Sequence, residues 1–440
     1  MNEGSTIFAL SSGAGMAGIA VIRLSGRHAF AAVRSLAGAL PEPRYAARRV
    51  FRHPRTKDVL DDGLVLTFPA PNSFTGEDVA ELHLHGSLAV IRALIGVLGG
   101  MADLRLAEPG EFTRRAFRNG RLDLVAAEGI GDLIQARTEG QRKLALHHAL
   151  GHASETIESW RRDLIAILGR VEAAVDFVDE TDVARQAMDG ISRGIDDLIR
   201  RMCAALAEAE RAGPLREGVK IVIAGPPNAG KSSLLNRLAR REAAIVSAIP
   251  GTTRDAIEVA VELSGIPVIL TDTAGLRAHG GDEIERIGMG RTAHELRGAD
   301  IIVWVTAADA TADPPEDLDS DTLWIENKSD LAPRSPAGQA DHRLSVKTGQ
   351  GMAEFLTSLE DRARRMAASG ESATLIRSRH KLVTASCVEN LLHASGVPAD
   401  RLELVAEALR AAAHDLGRLT GRIDVEEILD AIFREFCIGK

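Results

Sequence analysis

Residues 221–236 read IVIAGPPNAGKSSLLN: an apolar run, then Gly225-x-x-x-x-Gly230-Lys231-Ser232, then a stretch with helical character. No other stretch restricts the fold as strongly. An apolar strand must deliver the chain to a glycine turn, and the following helix must begin with its unpaired N–H groups facing that turn. Such a loop cradles phosphate. Its amides surround a β-phosphate, a lysine at the Lys231 position reaches the β- and γ-oxygens, and a hydroxyl at Ser232 ligates Mg²⁺.

The chain around this loop has 440 residues, 45% of them apolar and 26% charged, as in ordinary globular protein of about three domains. Aromatic residues make up 3%, which leaves little for base-stacking platforms, and the net charge of −9 argues against indiscriminate nucleic-acid binding. The three cysteines (Cys203, Cys387 and Cys437) are too few and too scattered for a disulfide framework or a CxxC metal site. A reducing, cytoplasmic setting is expected. The N-terminus lacks a basic region followed by an apolar core, and no uninterrupted apolar run is long enough to span a bilayer, so neither a signal peptide nor a membrane anchor is expected.

Residues 1–120 alternate short strand-like runs (Ile7–Leu10, Gly18–Leu24, Leu64–Phe68, Val79–His85) with turn signals, and residues 87–98 are helical in period. They predict a small α+β domain on a mixed or antiparallel sheet. From about 121 the texture becomes Ala-, Leu-, Glu- and Arg-rich at helical spacing. The phosphate-loop unit then alternates strand and helix patterns, and helical spacing returns after 375. The expected architecture is multidomain α/β and α. It comprises an N-terminal domain at 1–120, a helical domain in two parts at 121–215 and 375–440, and a doubly wound, Ras-like P-loop domain inserted at 216–374.

Four further elements follow the phosphate loop in the order of a GTPase. Gly251-Thr252-Thr253-Arg254-Asp255 offers a threonine, Thr253 first, as second Mg²⁺ ligand. Asp272-Thr273-Ala274-Gly275 ends an apolar strand; its aspartate holds the metal through water and its glycine amide senses the γ-phosphate. Asn327-Lys328-Ser329-Asp330 ends another strand, and Asp330 can accept from both guanine N1–H and the exocyclic amine. Ser345-Val346-Lys347 closes over the base. The position after Gly275 holds Leu276, which cannot orient a water as the glutamine of Ras-type GTPases does. Arg254 and Arg277 stand nearby as arginine fingers or solvated switch arginines. Asn228 offers a carbonyl to a monovalent cation. Among the acids Asp282, Glu283 and Glu285, one either orients water or marks an exposed helix start.

These motifs, with PNSFTGEDVAELHLHG, EPGEFTRRAFRNGRLDL, REAAIVSAIPGTTRD, DEIERIG and the terminal Phe436-Cys437-Ile438-Gly439-Lys440, resemble the MnmE (TrmE) family of tRNA-modification GTPases over essentially the whole length. The GTPase motifs alone would be shared with ribosome-assembly GTPases; the terminal stretches are far more specific. The resemblance implies a cytoplasmic homodimer with an N-terminal folate-binding domain. It also implies a flavin-dependent partner, MnmG (GidA), in a heterotetramer that acts on tRNA and adds an aminomethyl-type group at C5 of the wobble uridine. The one-carbon unit would come from 5-formyltetrahydrofolate or a related tetrahydrofolate. GTP would be hydrolysed with Mg²⁺ and K⁺ when the G domains pair.

Residue by residue, the resemblance implies GTP contacts from Asn228, Ala229, Gly230, Lys231, Ser232 and Ser233. More come from Ser247, Ala248, Ile249, Pro250, Gly251, Thr252 and Thr253, and from Asp272, Thr273, Ala274 and Gly275. The base would be met by Asn327, Lys328, Ser329, Asp330, Ser345, Val346 and Lys347. Mg²⁺ falls to Ser232 and Thr253, and K⁺ to Asn228, Ser247, Ile249 and Thr252, the cation taking the place of an arginine finger. Glu285 matches the catalytic glutamate, with one extra glycine before it. Arg23, Glu81, Arg121 and Lys440 match the folate positions. Arg121 stands where some relatives have lysine, Ser247 where threonine is commoner, and Val346 where alanine is usual.

Several features stay open at this level. Cys437 suits a nucleophile or proton donor, or a buried structural thiol. His83 and His85 alternate on a strand without a third metal ligand, which favours structural or surface roles. The clusters Arg44/Arg48/Arg49/Arg52/Arg55 and Arg114/Arg115/Arg118/Arg121 suit tRNA contact or a solvated face. A rival reading is a ribosome-assembly or other regulatory switch GTPase without modifying chemistry, but no appended RNA-binding module is visible.

Overall fold

The structure is a computed structural model that describes residues 4–13, 15–176, 181–241, 258–272, 296–307, 321–331, 340–367, 370, 372–398, 401–423, 429, 432–433 and 436–439. The chain forms two compact units, Met1–Gly131 with Leu416–Lys440, and Asp132–Asp415. Among the described residues, no helix is long and apolar enough to cross a membrane.

In the first unit β1 (Thr6–Leu10), β2 (Ala17–Ser25), β3 (Ala47–Arg52), β4 (Val59–Phe68), β5 (Val79–Gly86) and β6 (Leu104–Leu106) form one sheet in the order β3-β4-β5-β2-β1-β6. All pairs are antiparallel except β1–β6. Three strands match expected runs closely, β4 extends the expected Leu64–Phe68 back to Val59, and β3 and β6 are additions. The Arg-rich β3 reads as a charged loop because it is an edge strand with few side chains to bury. Two helices, α1 (Ala29–Ala37) and α2 (Leu88–Gly99), pack on the face that carries Phe8, Ile22, Leu24, Leu82 and Leu84. Strand alternation sends Arg23 and Glu81 to the opposite face. There Ile7, Ala9, Phe74, Ala107 and Phe112 form a smaller apolar cluster, with Phe112 on α3 (Glu111–Arg118).

The C-terminal segment belongs to this unit. Phe433 and Phe436 pack with Leu124 and Ala127 of α4 (Leu124–Gln135). Beyond them Ile438 bridges to Pro109, the Gly110 amide donates to the Cys437 carbonyl, and Ser11 Oγ donates to the Gly439 carbonyl at 2.9 Å. Gly439 has φ +98°, and a Cβ there would stand 2.2 Å from the Leu10 carbonyl oxygen. A bare backbone is what lets this strap lie on the end of β1.

In the second unit a helical part precedes and follows a sheet. It contains α5 (Glu139–Ala149), opened by a Thr138/Gln141 capping box, the long α6 (His152–Asp176) and α7 (Thr181–Glu217). The sheet is built from β7 (Val219–Ala224), β8 (Glu258–Leu263), β9 (Ile266–Asp272), β10 (Ile301–Ala307), β11 (Asp321–Asn327) and β12 (His342–Arg343) in the order β12-β11-β10-β7-β9-β8. It is parallel except for the β8–β9 hairpin. β10 is buried along its whole length, as a central parallel strand requires. α8 (Lys231–Arg241) and α9 (Met352–Ala367) cover the sheet, and α10 (Ser378–Gly396) and α11 (Leu402–Thr420) return the chain to helix.

His148 of α5 is fully buried, donates from Nε2 to the Ala373 carbonyl at 2.8 Å and stacks on His380 at 6.2 Å between ring centroids. Burial pushes its pKa from 6.5 down to about 4, assisted by His380 and His147 and opposed by the Ala373 carbonyl and Asp132. The folded chain therefore holds this imidazole neutral, while the unfolded chain takes up a proton as pH falls through 6.5. The stability it contributes is complete above that value and is lost toward pH 4, by about 3 kcal/mol. Urea unfolding of His148→Gln beside the native chain, at pH 7 and pH 5, is expected to show a shallower acid loss in the variant; parallel pH slopes would refute it.

Candidate nucleotide and folate sites

β7 lies where the strand order reverses, with β9 on one side and β10 on the other. Ligands of doubly wound sheets bind at the carboxyl ends of the strands at this point. The chain leaves β7 at Ala224, forms the loop 225–230 and enters α8 at Lys231. Asp272 is the last residue of β9 and Asn327 the last of β11, so three parallel strand ends bring three motifs together that are far apart in sequence.

Their side chains touch. Ser232 Oγ donates to Asp272 Oδ2 at 2.5 Å, which sets a hydroxyl and a carboxylate side by side. Two hard oxygens of this kind at a helix N-terminus suit Mg²⁺ on a phosphate. Lys231 Nζ is largely buried and donates to the Pro226 carbonyl within the loop at 2.8 Å. Asn327 is an internal brace of the site. Its Nδ2 donates to the Ala229 carbonyl at 2.8 Å, and its Oδ1 accepts from the Val346 amide at 3.1 Å. A Cβ on Gly230, which has φ +99°, would stand 2.3 Å from that Nδ2, so the second glycine of the loop is needed for this brace as well as for phosphate. Asn228 also occupies the left-handed region, at φ 62°.

The residues expected to meet the base are arranged around the same brace. Ser345 is fully buried; its carbonyl accepts from the Gly349 amide and its Oγ from the Thr348 amide. The Ser329 amide donates to the Leu344 carbonyl, which ties the loop carrying Lys328, Ser329 and Asp330 to that carrying Ser345, Val346 and Lys347. Asp330 is exposed, and a hydrogen bond from Ser345 holds its carboxyl below the usual carboxylate range, ionised and ready to accept. Ser233 follows on α8. Ser247, Ala248, Ile249, Pro250, Gly251, Thr252, Thr253, Thr273, Ala274, Gly275, Glu285 and Lys440 lie outside the described residues.

In the first unit Arg23 and Glu81 are direct cross-strand partners, their side chains 2.9 Å apart and each 18% exposed. Arg23 Nε and Nη2 both donate to Glu81 Oε1, and the guanidinium lies over the rings of Phe74 and Phe112 at 5.6 and 5.8 Å. His83 Nε2 stands 3.5 Å from the other Glu81 oxygen, and His85 pairs with Asp61 at 2.8 Å. Gly76, on the loop that also carries Phe74, approaches the Arg121 side chain. Charged donors and acceptors beside aromatic faces fit a flat, polar heterocycle with carboxylates. The strap meets β1 at Leu10 and Ser11, next to Ala9, the β1 partner of Arg23, and Cys437 on it is exposed.

Sequence reasoning missed one charged network here. Arg115, 11% exposed, binds Glu77 and Glu111 and donates to the Ser5 carbonyl; Glu111 also takes a bidentate hold from Arg105. Glu111 is held below the usual carboxylate range because these donors outweigh its burial. Arg115 is thus an internal strut and not part of a solvated arginine face. Arg114 lies over the Phe433 ring, and Arg48 is paired with Asp62.

Comparison with known proteins adds the family. Residues 6–121 match "GTP-binding protein TrmE N-terminus" and residues 124–437 match "MnmE helical domain". The chain is 46% identical to the tRNA modification GTPase MnmE of Rhodopseudomonas palustris and 47% to that of Methylobacterium sp., over 99% of each chain. It belongs to the MnmE family. The MnmE of Paramagnetospirillum magneticum is 49% identical over 99% of both chains. The G domain of the T. maritima FeoB iron transporter covers 34% of this chain and 98% of its own at 23% identity; its TM-score of 0.25 is too low to carry an argument.

Proposed function

We propose that this GTPase of tRNA modification works with a flavin-dependent partner of the MnmG (GidA) kind. Together they would add an aminomethyl or carboxymethylaminomethyl group at C5 of the wobble uridine, drawing the one-carbon unit from 5-formyltetrahydrofolate or a relative. The observation that carries this reading is the Arg23–Glu81 pair over Phe74 and Phe112, one residue along the sheet from the strap that bears Cys437. A regulatory switch would need no such pair beside a strap that carries an exposed thiol. Arg23 suits a folate carboxylate and Glu81 the amine donors of a pterin. Arg121 and Lys440 add positive charge, and Cys437 supplies a nucleophile or proton donor.

In the nucleotide site Lys231 neutralises phosphate charge and Ser232 ligates Mg²⁺, with Thr253 as second ligand. Asp272, beside Ser232, would help hold the metal, and Asp330 would read guanine. Leu276 cannot orient the attacking water, so that role passes to Glu285. Asn228, with Ser247, Ile249 and Thr252, is proposed to hold K⁺, whose charge replaces an arginine finger when two G domains pair in the homodimer. The proteins act in the cytoplasm.

One reconstitution tests the reading. The full chain, partner, tRNA, folate and GTP are combined in KCl or in NaCl, and wobble-uridine products and phosphate release are measured. Modified uridine in KCl, with hydrolysis at least about 10-fold slower in NaCl, is expected. Hydrolysis without any modified nucleoside would favour the switch reading, and equal rates in both salts would remove the cation assignment.

A further inference from the structure

The sheet of the second unit is joined to its helical part by two linkers, and both are held by one carboxylate. Asp132, on the last turn of α4, accepts at Oδ1 from Arg377 Nη2 at 2.8 Å and from Arg216 Nη2 at 3.3 Å. Arg216 lies in the last turn of α7, just ahead of β7; Arg377 directly precedes α10. The same corner grips each linker again. Gln141 Nε2 donates to the Arg216 carbonyl at 3.0 Å, and His148 Nε2 to the Ala373 carbonyl. The second linker lies against the end of α7, since a Cβ on Gly370 would stand 2.9 Å from Ala212 Cα. Asp132 and Arg377 are each 14% exposed, so this pair is weakly screened compared with a surface ion pair.

Beside the clamp the surfaces leave a gap. A cavity of about 660 Å³ lies between the α4–α5 corner and the β8–β9 hairpin, lined among others by Arg137, Gln141, Val261, Pro267 and Ile269. Polar grips at the linkers therefore add to the apolar packing of Leu144, Ala212 and Leu215 against the sheet. β9 runs from this cavity to the nucleotide site. Pro267 and Ile269 face the cavity, the hairpin turn at Gly265 accepts a hydrogen bond from the Gly140 amide, and the strand ends at Asp272, which touches Ser232. A strand is stiff along its length, so a shift of Asp272 on nucleotide binding would be passed along β9 to the Gly265 turn and its contact with Gly140.

We propose that Asp132, through Arg216 and Arg377, is a positioning residue that couples the nucleotide state of the sheet to the helical part, and so links GTP hydrolysis to tRNA modification. The coupling to modification rests on the function proposed above; the latch itself does not.

The test uses the full chain with Asp132→Asn and Asp132→Glu. GTP affinity, thermal midpoint, hydrolysis and modified tRNA per GTP are measured. Hydrogen exchange of residues 132–141 and 372–377 is compared with GDP and with a non-hydrolysable GTP analogue bound. Asp132→Asn is expected to bind and hydrolyse GTP as the native chain does with a modest drop in melting temperature, to lose about 10-fold in tRNA modified per GTP, and to lose the nucleotide-dependent exchange difference at 132–141. Asp132→Glu should recover both. An unchanged ratio with an unchanged exchange difference overturns the proposal. So does a parallel fall of affinity, hydrolysis and melting temperature, which would make Asp132 merely structural. If the native chain modifies no tRNA, the functional reading fails, while the exchange comparison still decides the latch.

Discussion

Replacing Asp330 by Asn is expected to weaken GTP about 100-fold and to make a xanthosine nucleotide the better ligand. A guanine edge presents two donors, N1–H and the exocyclic amine, and an ionised carboxylate can accept both. The Ser345 hydrogen bond keeps Asp330 ionised, and its exposure leaves it free to meet a base. An asparagine turns one acceptor into a donor, which suits the carbonyl that xanthine carries in place of the amine. The neighbouring brace of Asn327 on Ala229 and Val346 does not involve this carboxylate, so the loop should keep its shape. Competition binding with GDP and XDP reads the result; unchanged GDP affinity would remove Asp330 from base recognition.

Replacing Arg23 by Gln should abolish tRNA modification, by about 100-fold or more, while GTP hydrolysis stays at the native rate. The pair it forms with Glu81 lies in the first unit, and the phosphate loop lies in the second. Because the change leaves a half-buried Glu81 without its cation, folding is controlled with the double variant Arg23→Gln/Glu81→Gln, which removes both charges. Folate binding by fluorescence quenching and nucleoside analysis read the two activities. Variants that fold, bind folate as the native chain does and still modify tRNA would remove this pair from the site.

Much of the second unit is legible in the sequence because its motifs are local. The strand-loop-helix at 221–236 and the strands ending at Asp272 and Asn327 follow from short apolar runs that stop at glycine or polar residues. The hydrogen bonds of Asn327 to the loop are not legible, because they join residues about 100 positions apart in sequence. In the first unit the alternation of β2 and β5 shows that Arg23 and Glu81 leave the core, yet it reads equally well as strand-edge charge. Register decides it, by setting the two side chains opposite each other with Phe74 and Phe112 beside them. Arg115 is the opposite case. Its neighbours in sequence are basic and suggest a solvated face, but the fold turns it inward onto Glu77 and Glu111.

The phosphate loop, the order of the GTPase motifs and the family to which they point are thus legible in the sequence alone. All of these are patterns of residue type at short spacing, where backbone geometry follows from local composition. The brace of Asn327 on the loop, the seat of the C-terminal strap on Leu10 and Ser11 next to the β1 partner of Arg23, and the hold of Asp132 on both Arg216 and Arg377 come from the tertiary fold alone. Those facts depend on which distant side chains are carried to within hydrogen-bond range, and that is set by strand order, register and the room left by single glycines.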